Sequence, residues 1–185
     1  MICIIDCGTS YINELKESID ELGCENRTIS LNEINNNFKE FSGIIISGAP
    51  TILSQTDLEK YLQPFGFIKE VNIPVLGICL GHQIIGLLHD SKISVTDEIK
   101  KKENIEILSD DPLFNNIKSN SLFHEEHSEH VSLPKGFVLL AKSNTCDNES
   151  MKHPKKNIYG IQFHPEVSGD NGKKIFRNFI NMCGK

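Results

Sequence analysis

Arginine is scarce in this sequence. Only two of its 19 cationic residues, Arg27 and Arg177, are arginines, so bidentate phosphate clamps are few. The net charge is −6, and no basic face for nucleic acid is implied. No apolar run approaches the roughly 20 residues needed to span a bilayer. The N-terminus, MICIIDCG, has no cationic leader before its apolar stretch, so it reads as a buried strand and not as a signal peptide. A cytoplasmic protein is expected. No C-x-x-C pair occurs among Cys3, Cys7, Cys24, Cys79, Cys146 and Cys183, so no zinc or dithiol motif is indicated. In a reducing compartment such cysteines are ordinarily buried free thiols. No repeat or linker divides the 185 residues, which fit one domain, residues 1–185, with a sizeable core.

What is present is an alternation of short apolar runs with helical patterns. ICIID (2–6), GIIIS (43–47) and IPVLGI (73–78) are continuous enough for strands buried on both faces. Ile12, Leu15, Ile19 and Leu22 share one helical face, with Gly23 placed to end it. Residues 57–69 are weakly helical, and 80–89 are helical with Leu80, Ile84, Leu87 and Leu88 apolar. This βαβα order predicts a mostly parallel central sheet with helices on both faces. From about residue 91 the pattern changes. KISV, NIEIL, GFVLLA and NIYGIQF read as separate strands joined by polar loops, a more antiparallel second half. A helix over about 168–182 presents Ile175, Phe179 and Ile180. The patches 35–37 and 100–102 read as solvated surface.

Gly77-Ile78-Cys79-Leu80-Gly81 has the form G-x-C-x-G between a strand and a helix. That is the setting of a nucleophile elbow with cysteine in the serine's place. The helix N-terminus favours a thiolate and leaves backbone N–H groups free, so Leu80 N–H can face a developing oxyanion. A tight βα turn around a buried cysteine would use the same letters. A thiol nucleophile needs a base, and the base needs an orienting group. GIQFHPEV (160–167) supplies His164 and Glu166 at i and i+2, able to face one way on an extended chain stiffened by Pro165. Ser47-Gly48-Ala49-Pro50 follows a neighbouring strand, and its amides are candidates for a second oxyanion donor.

GICLGHQ and GIQFHPEV together closely resemble the triad-type, class I glutamine amidotransferases, over the whole chain. The resemblance implies the fold of that family and a glutaminase in which Cys79 attacks the glutamine side-chain amide. His164 would act as general base and acid and Glu166 as its orienter. Ala49 and Leu80 match the oxyanion-hole positions. Gly48, Gly81 and Gln83 match glutamine-binding positions, as does the segment Glu126-His127-Ser128, largely through backbone groups. The segment NESMKHPKKNIYGIQFHPEV (148–167) looks most like the stand-alone glutaminase subunits of archaeal two-chain GMP synthases. That resemblance implies a heterodimeric partner, an ATP pyrophosphatase subunit carrying ATP and Mg²⁺ and aminating XMP to GMP, with no cofactor in this chain. The glutaminase subunit of an anthranilate or aminodeoxychorismate synthase is the alternative, as is a regulatory subunit with impaired glutaminase activity or a γ-glutamyl peptidase.

Several positions depart from the family pattern. SGAP stands for SGGP, and a φ > 0 at Ala49 would strain it. LLHDSK lacks the usual glycine pair, leaving His89 to cap the helix. FHEEHSEHV (123–131) stands where the family has SHGD in a loop, and an inward Glu126 would repel the substrate α-carboxylate. His124, His127 and His130 recur every three residues beside three glutamates. Zinc binding is the sharper reading of that spacing, and a solvated loop without metal is the expected one. His127 is also a candidate pH-sensitive group near a partner interface.

Overall fold

The computed structural model describes residues 1–35 and 37–184. Asn36, in the asparagine patch, lies outside them, and its neighbours Asn35 and Asn37 are exposed. In chain order the elements are β1 (Ile2–Asp6), α1 (Ile12–Asp20), β2 (Asn26–Ser30), β3 (Gly43–Ile46), α2 (Leu58–Leu62), β4 (Val75–Ile78), α3 (Leu80–Leu88), β5 (Ile93–Ile107), β6 (Ser121–Val131), β7 (Val138–Lys142), β8 (Ser150–Lys152), β9 (Ile158–Ile161) and α4 (Gly169–Met182). A 3₁₀ run over Gln63–Lys69 extends α2.

The strands form one sheet of order β2-β1-β3-β4-β9-β8-β7-β5-β6. From β2 to β9 neighbours run parallel, and from β9 to β6 they run antiparallel. The expected α/β division into a parallel and an antiparallel half is therefore what the chain forms. Alternate residues of the parallel strands feed two cores. Ile2, Ile4, Ile45 and Leu76 pack with Leu15 and Ile19 of α1 and Ile175, Phe176 and Phe179 of α4. Cys3, Ile5, Ile44 and Ile46 pack with Leu80, Ile84 and Ile85 of α3 and Phe65 and Phe67. Both faces are thus covered by helices, which is why these strands read as unbroken apolar runs.

The antiparallel half corrects two expectations. KISV and NIEIL are the two ends of one 15-residue strand, β5, interrupted by a bulge between Val95 and Ile99. Residues 123–131 are not a solvated loop. They lie in β6, paired along β5 from Ile93↔Val131 to Ile105↔Ser121. The alternation buries Phe123, Glu125, His127, Glu129 and Val131 and leaves His124, Glu126, Ser128 and His130 half-buried. β2, with the polar sequence NRTIS, is a further strand at the sheet edge.

Helix α3 ends as its missing glycines require. Asp90 takes the left-handed conformation, φ 67°, and Ser91 N–H donates to Gly86 O at 3.0 Å, closing a Schellman-type cap. His89 Nδ1 lies 2.8 Å from Ile85 O, so this histidine caps by a hydrogen bond. Among the described residues no helix is long and apolar enough to cross a membrane.

Candidate active site

The strand β4 delivers Cys79 directly to the N-terminus of α3. Cys79 sits at φ 49°, ψ −102°, a conformation costing about 1–3 kcal/mol for an L-residue. The surrounding glycines permit the tight turn. A Cβ on Gly77 would lie 2.4 Å from the Gly81 carbonyl, and one on Gly81 would lie 2.5 Å from Ile46 O. Gln83 N–H closes onto Cys79 O at 3.0 Å, which leaves the N–H groups of Leu80, Gly81 and His82 without intrahelical acceptors. Cys79 is 5% exposed.

Beyond the end of β9, His164 Nδ1 lies 2.8 Å from Glu166 Oε1, and both side chains are buried. Burial alone would discharge His164. The Glu166 carboxylate and the Cys79 sulfur beside the ring outweigh it and hold the imidazole pKa well above its ordinary value. Leu80 and Ala49 flank the thiol. Ala49 lines the cleft beside Cys79 and is absent from the residues with positive φ, so alanine in SGAP carries none of the strain expected of it. Gly48 is buried against His164 and Cys79.

β6 closes the site from above. His164 N–H donates to His124 O at 2.8 Å, and the Cys79 thiol faces Glu126 O at 3.7 Å. A cavity of about 170 Å³ is lined by Ala49, Cys79, Gln83, Glu126, His127 and Ser128. The candidate substrate positions therefore meet in one place, apart from Gly48 and Gly81, which pack behind it. Gln83 is buried, its Nε2 donating to Glu129 O at 2.7 Å and Gln162 Oε1 at 3.3 Å.

Glu126 does not stand as a free carboxylate. It accepts hydrogen bonds from Tyr11 Oη at 2.5 Å and Lys100 Nζ at 2.8 Å, with His124 Nε2 at 3.4 Å. Burial would raise its pKa, but these donors outweigh it and hold it at about 2. The hydrogen bond to Glu126 lifts Tyr11 to about 12, so the phenol stays a donor. On a strand, His127 points away from His124 and His130, and its ring is 1% exposed. Among the described residues no three His, Cys, Asp or Glu are grouped to hold a metal.

Three contacts at the site were not anticipated by sequence reasoning. Gln162 donates from Nε2 to Cys79 Sγ at 3.5 Å. It stands two before His164, so strand alternation could have found it. Glu129 accepts from Leu53 N–H at 2.8 Å and Ser54 N–H at 3.1 Å, tying β6 to the turn after Pro50. The backbone carbonyl of His124 leaves no mark in a sequence.

The family model Glutamine amidotransferase class-I matches residues 3–183. The chain belongs to that family. Its relatives include proteins named as one of the subunits of glutamine-hydrolyzing GMP synthase. That of Pyrococcus abyssi is 37% identical over 190 residues, with 100% of both chains covered. That of Thermococcus kodakarensis is 38% identical with the same coverage. That of Methanocaldococcus jannaschii is 36% identical over 100% of this chain and 98% of its own. A crystal structure from Thermoplasma acidophilum superposes with a TM-score of 0.90 at 28% identity, over 98% of this chain and 92% of the other. A glutamine amidotransferase structure from Thermotoga maritima shares the fold, with a TM-score of 0.77 at 18% identity, over 97% of this chain and 82% of the other. The class I amidotransferase fold thus extends through the antiparallel half that carries the β5–β6 ribbon.

Proposed function

We propose that this amidotransferase is the glutaminase subunit of a two-chain GMP synthase, and that Cys79, His164 and Glu166 are its catalytic triad. The observation that carries the triad is the His164–Glu166 pair at 2.8 Å beside a thiol held in a strained elbow at a helix N-terminus. The place in GMP synthase rests on the relatives of that name, which the chain matches end to end.

In this reading His164, as imidazolium, already holds the Cys79 proton, and the Cys79 thiolate attacks the side-chain carbonyl carbon of glutamine. Charge develops on the carbonyl oxygen, where the Leu80 and Ala49 N–H groups stabilise it. His164 then returns the proton to the departing nitrogen, releasing ammonia and leaving a γ-glutamyl thioester. Water, deprotonated by His164, cleaves the thioester to glutamate and free thiol. Glu166 fixes the imidazole tautomer and stabilises its charged form. Gln83 and the backbone of Glu126, His127 and Ser128 line the space for the substrate. The Lys100 ammonium beside Glu126 offsets part of the repulsion that this carboxylate would exert on the substrate α-carboxylate.

The partner is an ATP pyrophosphatase subunit that binds ATP, Mg²⁺ and XMP and receives the ammonia, and the pair works in the cytoplasm. The test mixes this chain with such a partner, XMP, ATP, Mg²⁺ and glutamine. Glutamine-dependent GMP formation is expected, and its loss in Cys79→Ala while free ammonium still supports synthesis. GMP formation from ammonium but never from glutamine would overturn the reading. Amination of chorismate with the matching large subunit would transfer the assignment to that synthase class.

A further inference from the structure

Near the triad, Glu125 on the buried face of β6 and Glu149, just before β8, lie within hydrogen-bonding reach of each other. Glu125 and Glu149 are each 0% exposed. Ser143 Oγ donates to Glu149 Oε1 at 2.6 Å. Among the described residues no donor reaches Glu125 Oε1, Glu125 Oε2 or Glu149 Oε2. His127 Nε2 is 3.3 Å from Glu125 Oε2 but outside hydrogen-bonding geometry. Two ionised carboxylates would leave three buried anionic oxygens unpaired, which proteins do not tolerate without compensation. One proton resolves the arrangement, because a protonated carboxyl donates to its neighbour.

Burial favours keeping that proton, and the charges around it are mixed in sign. From β5, Glu103 and Lys101 face Glu125, paired with each other at 2.6 Å. From β6 comes His127, which burial keeps neutral. Cys146 lies before β8, and His164 follows β9. His82 of α3 and His130 lie within electrostatic reach of His127, with Asp147 near His130. Burial lifts Glu125 to about 7, and burial followed by the Glu125 charge lifts Glu149 well above the carboxylate range.

The position of the pair gives it consequences. Glu125 lies between the two β6 carbonyls that hold the triad, that of His124 on His164 N–H and that of Glu126 on the Cys79 thiol. Glu149 O accepts from Gln162 N–H at 2.8 Å, and the Gln162 side chain donates to Cys79 Sγ. Each carboxyl therefore sits on a backbone segment one step from the reacting atoms.

We propose that Glu125 and Glu149 are positioning residues, and that one proton shared between them clips β6 to the core sheet and holds Cys79 and His164 in register. The proposal rests on the assignment of those two residues to catalysis. A carboxyl whose folded pKa lies above its unfolded 4.5 contributes stability that is complete below pH 4.5 and is lost as pH rises through its folded value: Glu125 releases the pair's first proton at about 7, and the remaining, shared proton is held further up on Glu149. The pair titrates as a unit, so the clip opens on the alkaline side.

The full chain is tested by three measurements across pH: the infrared band of a protonated carboxyl, the rate of Cys79 alkylation by iodoacetamide, and glutamine kcat/KM. In the wild type the band is expected on the acid side of the transition and lost above it, with a step in alkylation and kcat/KM over the same range. In Glu125→Gln the amide gives Glu149 a permanent N–H donor, so the step disappears and activity is retained. In Glu125→Ala kcat/KM falls ~10-fold at every pH. A glutamine variant that keeps the wild-type step, or an alanine variant with wild-type kcat/KM, overturns the proposal. Should neither variant fold, the wild type decides, since absence of the carboxyl band overturns it and a band lost together with the alkylation step supports it. A wild type that never turns over glutamine would fail the glutaminase reading while leaving the infrared and alkylation results to judge the clip.

Discussion

Gly48 lies directly against His164: a methyl group on the glycine would approach the imidazole Cε1 to 3.0 Å and Cys79 Cβ to 3.5 Å. Tyr11 packs edge-on against the same ring with centroids 5.5 Å apart, which limits its retreat. Gly48→Ala is therefore expected to displace the imidazole and lower glutaminase kcat by roughly 10²-fold. Stability should fall by only about 1–3 kcal/mol. Steady-state kinetics beside a thermal melt distinguish this from unfolding.

Lys100 is expected to act through charge. Lys100→Glu removes the ammonium from Glu126 and adds a second carboxylate at the mouth of the cleft. KM for glutamine should rise roughly two- to fivefold with kcat little changed. Because Lys100 is exposed, added salt should narrow the difference. Equal KM at low salt would mean that Glu126 faces away from the bound substrate.

Glu129→Ala leaves Leu53 N–H, which is buried, without its acceptor and frees the turn beyond Pro50. A loss of about 1–3 kcal/mol is expected, read by denaturant unfolding. KM should rise with it, because Thr51 and Ile52 line the same cavity.

Glu166→Gln removes the charge that holds His164 protonated. A histidine whose folded pKa lies above the ordinary 6.5 adds stability that is complete below pH 6.5 and is lost as pH rises through the folded value. The melting temperature of the variant should therefore trail the wild type most on the acid side and converge with it at alkaline pH. Glutaminase kcat should fall by roughly 10²–10⁴-fold.

The parallel half of the fold was legible because its strands are buried on both faces and contain little but Ile, Val and Leu. The elbow and HPE motifs were legible because their chemistry demands particular residues at fixed spacing. The β5–β6 ribbon was opaque for a physical reason. Its inward positions are Glu125, His127 and Glu129, so the period-2 apolar signal that marks a strand is absent. β2 escaped for a similar reason, as a half-buried polar strand at the sheet edge. The neutralisation of Glu126 depends on Tyr11 and Lys100, 115 and 26 residues away, and no local pattern reports such a meeting.

The place of β9 between β4 and β8 imposes an order on biosynthesis. Among the described residues β9 is the last strand in chain order, yet both halves of the sheet close onto it. A nascent chain that stops short of Ile158 presents two open edges, and such edges recruit other strands. His164 and Glu166 emerge only after that strand. The elbow thiol therefore meets these two residues only once β9 is in place, so the closing of the sheet and the assembly of the site depend on one strand.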